Sequence, residues 1–241
     1  MPARLYSVSL SHPSRAAQLM LEHKGVEHKV VDVLPGFQAV VVRALGFPGI
    51  TVPALRIDGR RVQGSRKISR FLDELVPSPP LFPLDPAARS AVEEAERWGD
   101  ETLQPIPRRI FRWGAAHNQH VRRWVAEDVA GLPLPGVLAW SNVPVARKLA
   151  SMADARDDAI RGDIAALPDL LAHADSLIAA GTIGGSSLNA ADFQIGTSVR
   201  ALLGFPDLRS LVEGRPIADL ARRVLPRYPE PIPRFLPPVW L

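Results

Sequence analysis

Apolar and polar positions alternate over Arg4 to Leu10, with Leu5, Ser7 and Ser9 on one side and Tyr6, Val8 and Leu10 on the other. That period predicts a short strand. Ser11-His12-Pro13-Ser14 is a turn, and Ala16, Ala17, Leu19, Met20 and Leu21 then repeat at helical spacing, with Gly25 as the stop. Val26 to Val33 predicts a second strand, and a βαβ beginning favours a parallel pair. Phe37 to Leu45 is ambiguous, because three valines suit a strand and the spacing suits a helix. Val52 to Asp58 and Arg61 to Gln63 predict a hairpin across Asp58-Gly59-Arg60. Ser65 is placed to cap a helix carrying Ile68, Phe71, Leu72 and Leu75.

Pro77-Ser78-Pro79-Pro80 and Pro83 end this pattern, and the period beyond them is helical. The expected units are residues 1–78 and 84–241. Ala87 to Trp98 and Gly99 to Trp113 read as helices, with a kink expected at Pro105 and Pro107. Further helices are expected over Asn118 to Val129, Pro144 to Met152 and Ala155 to Ala180, the last flawed by Pro168. Gly131 to Pro135 and Gly181 to Ser187 read as loops. Asn189 and Asp192 form a capping-box pattern opening the helix to Leu203. Leu220 to Leu225 is a last short helix before a proline-rich tail ending in Trp240-Leu241.

Composition narrows the chemistry. The 241 residues contain no cysteine, so disulfides, thiolate metal sites and cysteine nucleophiles are excluded. Any thiol must come from a small molecule. The net charge of +4 is spread as scattered arginines rather than the stripe of a nucleic-acid binder. No apolar run reaches the ~18 residues of a membrane span. The opening Met1-Pro2-Ala3-Arg4 has no signal-peptide character, so the expectation is a cytoplasmic protein with no membrane partner. His117 and His120 stand three apart without an evident third ligand, and no metal is expected. Gly184-Gly185-Ser186-Ser187 lacks the lysine of a phosphate loop.

The turn Ser11-His12-Pro13-Ser14-Arg15, the element Val52-Pro53-Ala54-Leu55, and a serine-started helix at Ser65 together resemble the glutathione transferase family. The resemblance covers about the first 83 residues well and is anchored beyond them by Asn189 to Asp192. It implies an α/β thioredoxin-like N-terminal domain followed by an all-α helical C-terminal domain, and it favours helix for Phe37 to Leu45. It also implies a cis bond before Pro53, with the Val52 backbone pairing the cysteinyl part of glutathione.

In the serine-type members the turn reads Ser-x-Pro-x-Arg, which makes Ser11 the candidate catalytic hydroxyl, with Ser9 and Ser14 behind it. A free thiol has a pKa near 8.5, and a hydroxyl donating to its sulfur favours the thiolate. Ser65 would hold the γ-glutamyl carboxylate at a helix N-terminus. Gly64 stands where the family has glutamate, and Gln63 is the neighbouring polar group. Arg15 and Arg109 complete the expected substrate-binding set. Arg109 shares its helix with Arg108, Arg112, Trp98 and Trp113, on the second-substrate side. Arg43 and Thr51 match the glycyl-carboxylate positions loosely. Asp192 is expected to serve folding.

The implied activity is transfer of glutathione, or another low-molecular-weight thiol, to an apolar electrophile by a homodimer. The alternative is a non-catalytic ligand- or protein-binding module of the same fold.

Overall fold

The structure is a computed structural model that describes residues 3–229 and 231–241. It opens with β1 (Ala3–Ser7), α1 (His12–His23), β2 (His28–Asp32), α2 (Gln38–Ala44), β3 (Ala54–Ile57), β4 (Arg60–Gln63) and α3 (Ser65–Leu75). The sheet order is β2-β1-β3-β4. β1 is parallel to β2, pairing Leu5 with Val30, and antiparallel to β3, pairing Leu5 with Leu55. Asp58 and Gly59 both have positive φ, at 46° and 79°, as a tight twisted hairpin requires. The ambiguous Phe37 to Leu45 segment is helical, and only Val42 in α2 is fully buried.

Two boundaries around the first turn differ from the sequence pattern. β1 stops at Ser7 rather than Leu10, because Ser11 N–H turns back onto the Val8 carbonyl at 2.7 Å. α1 accordingly starts at His12, with Pro13 in its first turn, where a missing N–H costs nothing.

The helical region is α4 (Pro86–Trp98), α5 (Pro105–His117), α6 (Gln119–Trp124), α7 (Pro135–Ser141), α8 (Val143–Met152), α9 (Asp157–Ala179), α10 (Ala190–Leu203), α11 (Arg209–Val212) and α12 (Pro216–Val224). The break expected at Pro105 and Pro107 is a π-helical turn, Gly99–Leu103, between α4 and α5. Pro105 and Pro107 have no N–H to return to the preceding turn. The hydrogen-bond register widens instead, with Gln104 N–H reaching the Gly99 carbonyl at 2.9 Å. Gly99 also lets this turn lie on α10, since a Cβ there would sit 2.7 Å from Ile195 Cγ1.

Pro168 is tolerated on the exposed face of α9. α7 goes beyond the sequence pattern, which left that stretch without an element. α12 begins at Pro216, earlier than the expected Leu220. Among the described residues, no helix is long and apolar enough to cross a membrane.

α10 is buried at every residue. Helices α1, α4 and α12 pack around it, so its polar groups must be satisfied inside the protein. Its first amides are met by a capping box. Asn189 Oδ1 accepts from Ala191 and Asp192 N–H at 3.0 and 3.1 Å. Asp192 Oδ2 returns to Asn189 N–H at 2.8 Å, and Oδ1 also accepts from Gly184 N–H at 2.6 Å. Asp192→Ala should therefore cost about 2–4 kcal/mol, because two buried amides lose their acceptor. Urea unfolding checks this, and a change below about 0.5 kcal/mol would contradict it.

Candidate functional site

Sheet unit and helical region meet around a cavity of about 640 Å³. Ser11, Val52, Pro53, Gln63 and Ser65 all line it. Ser11 is the N-cap of α1. Its oxygen accepts from Ser14 N–H at 3.3 Å and from the Ser14 hydroxyl at 2.9 Å. Among the described residues, the Ser11 hydroxyl donates to no acceptor, so its proton is available to a ligand. Ser14 is buried beneath it as support, and Ser9 is not part of the lining.

The Val52–Pro53 bond is cis. The Pro53 carbonyl accepts from Gly64 N–H at 2.9 Å. Among the described residues, Val52 N–H and C=O have no hydrogen-bond partner, although their neighbours on both sides do. The loop before them is held by Gln63, whose Oε1 accepts from Gly49 N–H at 2.7 Å and whose Nε2 donates to the Thr51 carbonyl at 2.6 Å. Gln63 thus braces the backbone edge with both ends of its amide. Gly64, at φ 94°, occupies the N-cap of α3, and Ser65 is the first helical residue rather than the cap. The Ser65 hydroxyl is left over for the cavity, with no partner among the described residues.

Arg15 and Arg109 do not line the cavity. Arg15 donates to Gln18 along α1 at 2.8 Å. Arg109 Nε lies 3.0 Å from Asp163 Oδ2 of α9, an ion contact without hydrogen-bond alignment. Thr51 lines the cavity and Arg43 does not. Trp113 Nε1 donates to Asp157 at 2.8 Å, away from the site, and His117 stacks on its ring.

The opposite wall is α5, with Arg108, Phe111, Arg112 and Ala115 on one face. Six cationic residues, Arg66, Lys67, Arg70, Arg108, Arg112 and Arg122, line the cavity. Asp100, in the π turn, is the one carboxylate among the described lining residues. Gln104 Nε2 donates to it at 2.8 Å, and burial pushes its pKa up, against the pull of Arg66. Sequence reasoning missed Asp100, His12, Gln104 and Tyr228. Tyr228, from the C-terminal tail, donates its hydroxyl to the Leu10 carbonyl at 2.8 Å and lines the same cavity.

These features define a two-part protein in which a thioredoxin-like sheet unit offers a serine-capped helix and an unpaired backbone edge to a helical partner unit. Residues 5–80 match the family model of the glutathione S-transferase N-terminal domain. The N-terminal unit belongs to that domain family, and the chain as a whole has the glutathione S-transferase fold.

A glutathione S-transferase from Rhodospirillum rubrum F11 is 19% identical over 99% of this chain and 97% of that one, with a TM-score of 0.57. Glutathione transferase F7 from Populus trichocarpa is 16% identical over 93% and 94%, with a TM-score of 0.60. The β-etherase LigF from Sphingobium sp. strain SYK-6 is 21% identical over 92% and 99%, with a TM-score of 0.56. At these identities the likeness is one of fold. No curated protein matches the sequence.

His12 joins the two units. It is buried, and its Nε2–H donates to the Gln104 carbonyl at 3.2 Å. Burial, helped by the Arg108 charge, lowers its pKa to about 3. Folding therefore favours the neutral ring. The stabilisation is full above the unfolded value of 6.5 and is lost as pH falls toward 3, by up to roughly 4–5 kcal/mol. His12→Gln keeps a side-chain donor but cannot titrate. Its unfolding free energy should fall less steeply than that of the wild type between pH 6.5 and pH 3. Parallel curves in urea titrations at several pH values would assign the acid sensitivity elsewhere.

Proposed function

We propose that the protein is a serine-type thiol transferase, which activates glutathione or a related small thiol and transfers it to an electrophile with an apolar body. One observation carries this reading: the unpaired Val52 N–H and C=O share a cavity with the free Ser11 hydroxyl. A peptide-like thiol can add itself to that backbone edge as a short antiparallel strand would. Its sulfur would then meet the Ser11 hydroxyl, while the N-terminal dipole of α1 favours negative charge on the same side. The thiol proton leaves to water, the sulfur lone pair forms the new bond to the electrophilic carbon, and the leaving group departs with the pair of the bond that breaks. Ser65 and the start of α3 would take a carboxylate of the thiol.

Gly64 supplies no acid for a γ-glutamyl ammonium, and Asp100 is the carboxylate assigned that part. In this reading residues 1–78 bind the thiol and residues 84–241 hold the second substrate. In the same reading the protein works in the cytoplasm as a homodimer, which the family likeness supports.

The test has two readouts. Glutathione and other small thiols are added singly while the melting temperature is followed, because a ligand of the folded state raises it. Conjugation of 1-chloro-2,4-dinitrobenzene is then measured for wild type and Ser11→Ala. Loss of one donor to the developing sulfur charge should lower turnover by about 100-fold, with thiol binding retained. Background rates for both proteins, and no thiol that shifts melting, would instead identify a non-catalytic binding module.

A further inference from the structure

Apart from Lys67 and from Arg122, whose guanidinium donates to the Ala115, Ala116 and Ala139 carbonyls, the cations of the cavity fall into two groups. Arg66 is 2.8 Å from Glu101, and Arg70 is paired with the buried Glu96. Their charge is answered within the protein. Arg108 and Arg112 have only neutral partners. Arg108 Nη2 donates to the Gln104 side chain, and Arg112 Nη1 donates to the Leu149 carbonyl at 3.2 Å. Among the described residues neither forms an ion pair, and the Arg108 Nε is buried without any hydrogen-bond partner.

A partly buried guanidinium left without a counter-charge is costly. Burial accordingly lowers the pKa of both groups, against the pull of Asp100 on Arg108, while the Arg108 charge adds to the effect on Arg112 and brings it to about 10. The two stand four apart on α5, one above the other on a single face. Around them the wall is apolar, with Phe111, Phe205 and Ile232.

We propose that Arg108 and Arg112 are the receptor for a carboxylate on the second substrate, so that the electrophile is an anionic amphiphile rather than a neutral apolar compound. The planar guanidinium fork matches a carboxylate with paired, charge-assisted hydrogen bonds. The apolar body then lies on Phe111, Phe205 and Ile232, with its reactive carbon toward Ser11 across the cavity. This inference rests on the thiol-transfer reading for its reaction but not for its binding step. With 4-chloro-3-nitrobenzoate, the sulfur lone pair forms a C–S bond at C4, chloride leaves with the C–Cl pair, and the carboxylate is unchanged.

The experiment is calorimetric titration of 4-chloro-3-nitrobenzoate and of its neutral isostere 4-chloro-3-nitrobenzamide, without thiol. The benzoate should bind at least about tenfold more tightly. Arg108→Gln and Arg112→Gln should each remove most of that preference. Because each replaces a partly buried charge that forms no ion pair among the described residues, both variants should melt no lower than the wild type, which separates a ligand role from a structural one. Equal binding of the two compounds, no benzoate binding at millimolar concentration, or an undiminished preference in both variants would overturn the proposal. Conjugation with glutathione is read separately. A benzoate preference without turnover would sink the transferase reading and leave the anion receptor standing, and equal turnover of both compounds would do the reverse.

Discussion

The position of everything in this protein depends on keeping the first turn of α10 satisfied in a place water cannot reach. α10 carries Gln194, Thr197, Ser198 and Arg200 as well as apolar residues, and all of it is buried. Its side-chain hydroxyls fold back on its own carbonyls, as Thr197 does to Phe193 at 2.8 Å. The N-terminal amides have no such local route and need the Asn189 and Asp192 side chains. With that end closed, α10 can serve as the post against which α1 of the sheet unit and α4 and α12 of the helical region are set. Ser11 is thus positioned through α10. α1 is fixed by its contact with α10, and Ser11 is the first residue that α1 presents.

Polar contacts finish the docking. His12 reaches Gln104, Tyr228 reaches Leu10, and Ser69 with Arg70 reaches Glu96. Two of these three join neutral groups. A neutral pair loses little on leaving water if its hydrogen bond is made, whereas a buried ion pair must recover several kcal/mol of hydration. The charged contact is placed where Ser69 supplies an additional donor to Glu96, at 2.6 Å. His12 and Tyr228 both border the cavity, so the interactions that hold the units together also shape its rim.

The sheet unit was legible because its signals are local. The alternation before Ser11, the Asp58-Gly59 turn and the Val-Pro-Ala-Leu element each lie within a few residues of chain. The cap of α10 was legible for the same reason. The arginines show where local reading stops. Arg108, Arg109 and Arg112 look equivalent in sequence, yet successive helix positions are turned about 100° apart. The lining residues Arg108, Phe111, Arg112 and Ala115 follow the helical repeat, and Arg109 falls outside it, against Asp163. The period could have excluded Arg109 once Phe111 was taken as facing the cavity. Nothing comparable pointed to Tyr228, whose partner lies 218 residues away, or to Asp100, whose direction is set by the widened turn at Gly99.

That turn and Gly64 together explain the charge layout of the cavity. At φ 94°, residue 64 sits in the region that disfavours any side chain, and glycine relieves this strain at the expense of an acid beside Ser65. The start of α3 is then purely a donor site: backbone amides, a hydroxyl, and Arg66 and Lys67 close behind. Across the cavity, the π turn swings Asp100 inward and brings Gln104 with it. Gln104 divides its amide, donating to Asp100 while accepting from Arg108. The same residue therefore separates the carboxylate from Arg108, the first guanidinium of the α5 face. Without that spacer Arg108 could close onto Asp100 as an internal ion pair. With it in place, Asp100 and the arginine face of α5 stay distinct, and one cavity can present opposite charges to two different ligands.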